Sequence, residues 1–178
     1  MLSEAVPDLR VDARYATEDN FTGAPLPGYR AGVLWAHRET ADALANVQTE
    51  LAEAGLSLRV YDAYRPRRAS EAMVAWVNAS GPEELLRDGY VARHSNHACG
   101  NTVDVTLESA TGGALDMGSA WDTFDATSHY RAAKGDAMAN RRRLRRTMMR
   151  AGFVPYDREW WHFTLPRSTR LPRLDVPY

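Results

Sequence analysis

Cysteine is nearly absent: Cys99 is the single one among 178 residues. One thiol cannot close an internal disulfide, so a small disulfide scaffold is excluded and the redox setting leans towards a reducing cytosol. Charge of either sign is not in excess, with 22 Lys and Arg against 23 Asp and Glu and a formal net charge of -1. A near-neutral chain has no overall field to draw nucleic acid or an anionic membrane surface, and neither is expected as a partner. Long apolar runs are missing too, and none approaches the roughly 18 residues of a membrane span. The opening stretch, MLSEAVPDLRVDARY, carries acids and no apolar core of the kind a secretory signal has. Internal repeats and low-complexity tracts are lacking. What remains is the composition of an ordinary globular protein, 44% hydrophobic. The expectation is a soluble, cytoplasmic protein of one domain, residues 1–178, long enough to bury a sizeable core.

The patterns that are present mix two periodicities. Residues 16–30 hold Gly and Pro turn signals and read as an ordered loop. Thr40 could cap a helix running to about residue 54, with Ala41, Leu44, Val47 and Leu51 inward and Gly55 as its stop. Leu56 to Tyr64 alternates Leu56, Leu58 and Val60 against Ser57, Arg59 and Tyr61, a strand with one buried face. Pro66 suits the first turn of a helix that carries Ala69, Met73, Trp76 and Val77 inward and ends at Gly81-Pro82. Val103 to Leu107 is β-prone, Thr111-Gly112-Gly113 is a hairpin turn, and Ala114 to Met117 should return antiparallel. A long loop over 118–135 precedes a helix from Asp136 to Ala151, and Trp160 to Leu165 reads as a strand. Helices and antiparallel strands in this order predict an α+β domain, a small antiparallel sheet flanked by helices. The basic run NRRRLRR, residues 140–146, sits on a helix with Leu144 inward. In a neutral chain it reads as a solvated or ion-paired helix face, not a nucleic-acid surface.

Two short windows carry chemistry. SNHACGNTVD, residues 95–104, holds His97 and Asp104, and EWWHF, residues 159–163, holds Glu159 and His162. A catalytic zinc takes three nitrogen or carboxylate ligands and keeps one position open for water. His97, Asp104 and His162 would supply two imidazoles and one carboxylate. Glu159 would then be the base that takes the water's proton without binding the metal. Residues three apart do not share a face on a regular strand, so Glu159 should sit at the strand's entry, on a bend. Gly100 allows the sharp turn that lets Asp104 project from a strand, with Val103 and Val105 turned to the core. A lone histidine is more often structural, and Glu-x-x-His recurs by chance. From the residues alone, metal-assisted hydrolysis and a non-catalytic reading both stay open.

Beyond these windows, YATEDNFTG (15–23), DAYRPRRA (62–69), SNHACGNTVDVTL (95–107), DMGSAWD (116–122), NRRRLRRTM (140–148) and GFVPYDREWWHF (152–163) follow one another in order. In this series the chain resembles the D-alanyl-D-alanine dipeptidases, the VanX-like zinc peptidases, over nearly its whole length. The resemblance implies the zinc fold shared by D,D-peptidases and hedgehog domains, with one zinc per chain at the sheet. It implies hydrolysis of a small dipeptide, D-Ala-D-Ala, and leaves the oligomeric state open. His97, Asp104 and His162 are then the zinc ligands, Glu159 the catalytic base and Arg65 the cation that meets the developing oxyanion. Tyr15 and Asp122 are implied for the substrate's ammonium, Ser95 for its carboxylate, and Trp160 for the pocket wall. Asn96, Cys99 and Thr102 depart from the family's commoner choices, and the stretch from Ser80 to Gly89 is short. Asn96 borders the implied carboxylate pocket and bears on substrate preference, Cys99 is expected as a small buried thiol and not a ligand, and the short stretch bears on the pocket's rim and not on the chemistry. Rival expectations are a related zinc carboxypeptidase or endopeptidase on longer cell-wall peptides, and a non-catalytic zinc-stabilised binding module.

Overall fold

The computed structural model describes residues 1–109, 111–168 and 171–178. In chain order the helices and strands are α1 (Leu2–Ala5), β1 (Arg10–Val11), α2 (Arg38–Ala52), β2 (Leu56–Asp62), α3 (Arg67–Ser80), α4 (Glu84–Arg87), β3 (Thr102–Ser109), α5 (Gly135–Arg150), β4 (Val154–Tyr156) and β5 (Glu159–Thr164). The strands form one sheet in the order β1-β2-β3-β5-β4. Among the described residues only the β1–β2 pair is parallel; the other neighbours run antiparallel. The architecture is α+β, as expected, with α2 and α5 packed on each other and on the sheet.

β3 lies at the centre, and its residues 102–108 are buried on both faces. Their β-branched and apolar side chains suit a strand covered on each side. β2 departs from the expected one-sided burial, because Ser57 and Tyr61 are buried as well as Leu58 and Val60. The alternation in its sequence marks which side chain goes up or down, not which one meets water.

Several expectations are corrected. α2 starts before Thr40: His37 is its cap and accepts from the Glu39 N–H through Nδ1 at 3.4 Å, while Thr40 is wholly buried. The returning strand over 114–117 reduces to one bridge, Glu108 to Ala114, because the chain turns away where the Gly118 N–H bonds the Asp116 carboxylate at 2.8 Å. The 118–135 loop contains two short 3-10 turns, Ala126–Ser128 and Tyr130–Ala132. Arg141 ties that segment down, donating to the carbonyls of Met117 (2.5 Å), His129 (2.6 Å) and Thr127 (2.9 Å). The basic run is therefore not all surface. Arg145 pairs with Asp157 at 2.6 Å as an ion-paired face would, but Arg141 is 1% exposed and serves as an internal clamp.

Candidate active site

The site is built on a row that crosses the sheet. Asp62 on β2 stands opposite Asp104 on β3, and Asp104 stands opposite His162 on β5. Antiparallel partners on one face lie about 5 Å apart at Cβ, so the register alone brings these side chains together. Val103 and Val105 point the other way and are fully buried. The fourth member, His97, arrives from outside the sheet, on a 3-10 turn at Asn96–Cys99. Ser95 caps that turn, its Oγ accepting from the His97 N–H at 3.2 Å. Gly100 ends it at φ 71°, ψ 12°, in the left-handed region. A Cβ there would also lie 3.1 Å from the backbone nitrogen of His37.

Three potential ligand atoms converge. His162 Nδ1 is 3.1 Å from Asp104 Oδ1, His97 Nε2 is 3.4 Å from Asp104 Oδ1, and the two imidazole nitrogens are 3.4 Å apart. A tetrahedral ion bound at the usual zinc distances has ligand–ligand edges of about 3.4 Å. The triangle fits such an ion without rearrangement. The tautomer fits as well: the His97 Nδ1–H donates to the Ala63 carbonyl at 2.7 Å, which leaves Nε2 with its lone pair towards the other two. Burial alone would raise the Asp104 carboxyl, but His97 and His162 beside it hold it well below the usual carboxylate range. Asp104 therefore stands ready as an anionic donor.

Glu159 is the first residue of β5, directly after the turn at 157–158 and next to an irregularity in the β4 register at Pro155/Tyr156. That break in the alternation puts Glu159 and His162 on one side, with Glu159 Oε2 3.5 Å from His162 Nδ1. Its carboxyl is pushed up to about 7, chiefly by burial and further by Asp104, against the pull of His162 and Arg65. Arg65 follows β2 and is fixed by Asp62: Nε at 2.9 Å and a terminal nitrogen at 2.8 Å both reach Asp62 Oδ2. Burial works against the charge on Arg65, and the Asp62 carboxylate more than offsets it. The Arg65 guanidinium also lies over the Tyr15 ring, 4.9 Å from its centre.

One cavity of about 360 Å³ takes in Tyr15, Arg65, Ser95, His97, Asp104, Glu159 and His162. Asp122 is not part of its lining, but it stands directly behind Tyr15, whose hydroxyl donates to Asp122 Oδ2 at 2.8 Å. Asp122 holds φ 59°, a backbone region that non-glycine residues seldom occupy. Burial, and then Asp104, raises its carboxyl well above the usual range. Trp160 is placed elsewhere. Its Nε1–H donates to Ser119 Oγ at 3.0 Å, Arg141 lies over its ring, and it borders a separate cavity around Asp116 and Trp121. On β5 it is the neighbour of Glu159, so the pleat sends it to the opposite face.

Sequence reasoning missed Asp62, which is fully buried. It accepts from the Tyr29 hydroxyl at 2.7 Å and the Ala63 N–H at 2.9 Å, holds Arg65, and lies 3.3 Å from His97 Nδ1. The available signal was an acid three residues before Arg65 at the end of a β-prone run. Missed also were residues 174–178, which strap the outside of the site. Leu174 bonds Ala98 and Arg67 through its backbone, Asp175 takes Arg68, and the Tyr178 hydroxyl donates to the Tyr64 carbonyl at 2.9 Å. The strap thus touches both segments that present His97 and Arg65.

Two imidazoles and a carboxylate arranged for a metal, with an unbound carboxylate and a fixed guanidinium on the same cavity, suit water attack on an acyl carbon. The class is that of metal-assisted hydrolases. Comparison with known sequences narrows it: residues 1–177 match the family model described as D-ala-D-ala dipeptidase. The chain belongs to that peptidase family. A D-alanyl-D-alanine dipeptidase of Enterococcus faecium is 39% identical over 183 residues, covering 92% of this chain and 89% of the relative. The one from Streptomyces coelicolor is 39% identical over 181 residues, with 92% and 89% covered. The one from Escherichia coli K12 is 35% identical over 175 residues, with 97% and 87% covered. Peptidases of this family use a metal, and His97, Asp104 and His162 form a possible site for it.

Proposed function

We propose that the protein is a zinc-dependent dipeptidase that cleaves D-Ala-D-Ala into two D-alanines. The observation that carries this reading is the meeting of His97, Asp104, His162, Glu159 and Arg65 on one cavity, in a chain whose relatives bear that activity's name. His97, Asp104 and His162 would hold one zinc. Zinc, when bound there, supplies a Lewis acid for the peptide carbonyl and acidifies its water to a pKa of about 7. Glu159 accepts the proton of the attacking water and hands it to the leaving amine. Arg65, held in one orientation by Asp62, meets the oxygen on which charge develops. Tyr15, backed by Asp122, receives the substrate's ammonium, and the Ser95 hydroxyl donates to its carboxylate. Trp160 has no part in this reading, since it faces the core. A cytoplasmic place of work goes with it, supported by the single cysteine.

The test is release of D-alanine from D-Ala-D-Ala and from its N-acetylated form, with and without a chelator. Chelator-sensitive cleavage of the free dipeptide alone is expected. Cleavage of the acetylated form would contradict the ammonium pocket and favour a carboxypeptidase. A zinc-loaded protein that cleaves neither would overturn the catalytic reading.

A further inference from the structure

A second cavity of about 360 Å³ adjoins the catalytic one, and the two share His94 and Ser95 in their walls. Its remaining lining is basic: Arg67, Arg93 and Arg173 against one acid, Glu71. Among the described residues, none of the three guanidiniums is within ion-pair distance of a carboxylate. Two polar atoms in the wall are also buried without a hydrogen-bond partner, Ser70 Oγ and Arg173 Nε. Unpaired donors of this kind cost free energy unless something accepts from them. Arg67 and Arg93 are exposed, but with Arg173 and the Ser70 hydroxyl they bring four donor groups to one cavity against the single Glu71 carboxylate, a balance that suits an oxyanion.

We propose that this cavity is a binding site for a small oxyanion, and that its occupant competes with the substrate for Ser95. The Ser95 oxygen already accepts from the His97 N–H, so it has a single proton to give. Ser95 is in the wall of both cavities, so that proton can be given to one side or the other but not to both. An anion among the arginines that takes it denies it to the dipeptide's carboxylate in the catalytic cavity. Two oxyanions fit the chemistry, the carboxylate of product D-alanine and inorganic phosphate. The effect on catalysis rests on the dipeptidase reading above; binding of the anion does not.

The experiment uses the zinc-loaded protein and adds either phosphate or D-alanine at matched ionic strength, with chloride as control. Phosphate is expected to raise KM and leave kcat unchanged, because it removes binding and not chemistry. The double variant Arg67→Gln/Arg173→Gln should keep its kcat and KM without added anion, and lose about tenfold or more of the phosphate sensitivity. Inhibition by D-alanine that weakens in the same variant would make the product an occupant. D-alanine inhibition unchanged by the variant would leave phosphate as the ligand and place the product at the catalytic cavity alone. Equal phosphate sensitivity in variant and wild type, or none in either, would overturn the site. Should the wild type fail to cleave D-Ala-D-Ala, calorimetric titration with phosphate decides the binding claim alone. Heat of binding in the wild type and not in the variant supports it, and equal or absent heat in both sinks it.

Discussion

Both contacts that fix Arg65 end on one oxygen of Asp62, while the other Asp62 oxygen takes the Tyr29 hydroxyl and the Ala63 N–H. A buried carboxylate with every lone pair engaged does not swing, so the guanidinium it holds is aimed before any substrate arrives. A lysine at this position keeps the charge but not the fork. Arg65→Lys should therefore keep its zinc while kcat/KM falls about a hundredfold or more. Steady-state kinetics with metal analysis checks this, and wild-type kcat/KM would remove Arg65 from the chemistry. Asp62 shows what a single sequence withholds at this scale. Acids are common before turns, and only the register that sets it opposite Asp104 gives it neighbours to serve.

At the scale of elements, the site depends on one loop holding its shape against a strand. Gly100 is in the left-handed region and nearly touches the His37 backbone, whose N–H bonds the Gly100 carbonyl at 2.8 Å. Gly100→Ala adds backbone strain of about 1 kcal/mol and must push the His37 backbone aside. A lower melting temperature and weaker zinc binding are expected together, because His97 sits in the turn that Gly100 closes. Thermal melts and zinc titration read both, and a variant with wild-type values in each would show that the turn tolerates a side chain. The strands and long helices were legible because hydrophobic periodicity and Gly or Pro stops mark them locally, as with α3 between Pro66 and Gly81. His97, Asp104, Glu159 and His162 stood out by residue type and spacing, and the structure brings them to one cavity, while the residues alone left their chemistry open. The short strands β1 and β4 were not legible, since two or three residues carry no period. Nor was the burial of Arg141. Charge predicts exposure, and only the fold supplies the carbonyls that make its burial tolerable.

For the molecule as a whole, the metal should also be a fold ligand. His97, Asp104 and His162 come from three separate segments: a turn and two neighbouring strands. An ion bound to all three stabilises the folded state only, by about 4 kcal/mol when zinc exceeds its dissociation constant a thousandfold. Chelation should lower the melting temperature, and added zinc should restore it. A melting temperature that ignores both would mean that no ion bridges these segments. Among the described residues no helix is long and apolar enough to cross a membrane.

In the proposed mechanism Glu159 does the proton transfer while three other residues hold the metal. That division of roles is tested most directly by measuring zinc content and D-Ala-D-Ala turnover together in Glu159→Gln. The account predicts one zinc per chain, as in the wild type, with turnover reduced by about a hundredfold to ten-thousandfold, the usual worth of a positioned proton acceptor. Wild-type turnover in a zinc-loaded variant, or loss of zinc along with activity, would contradict it.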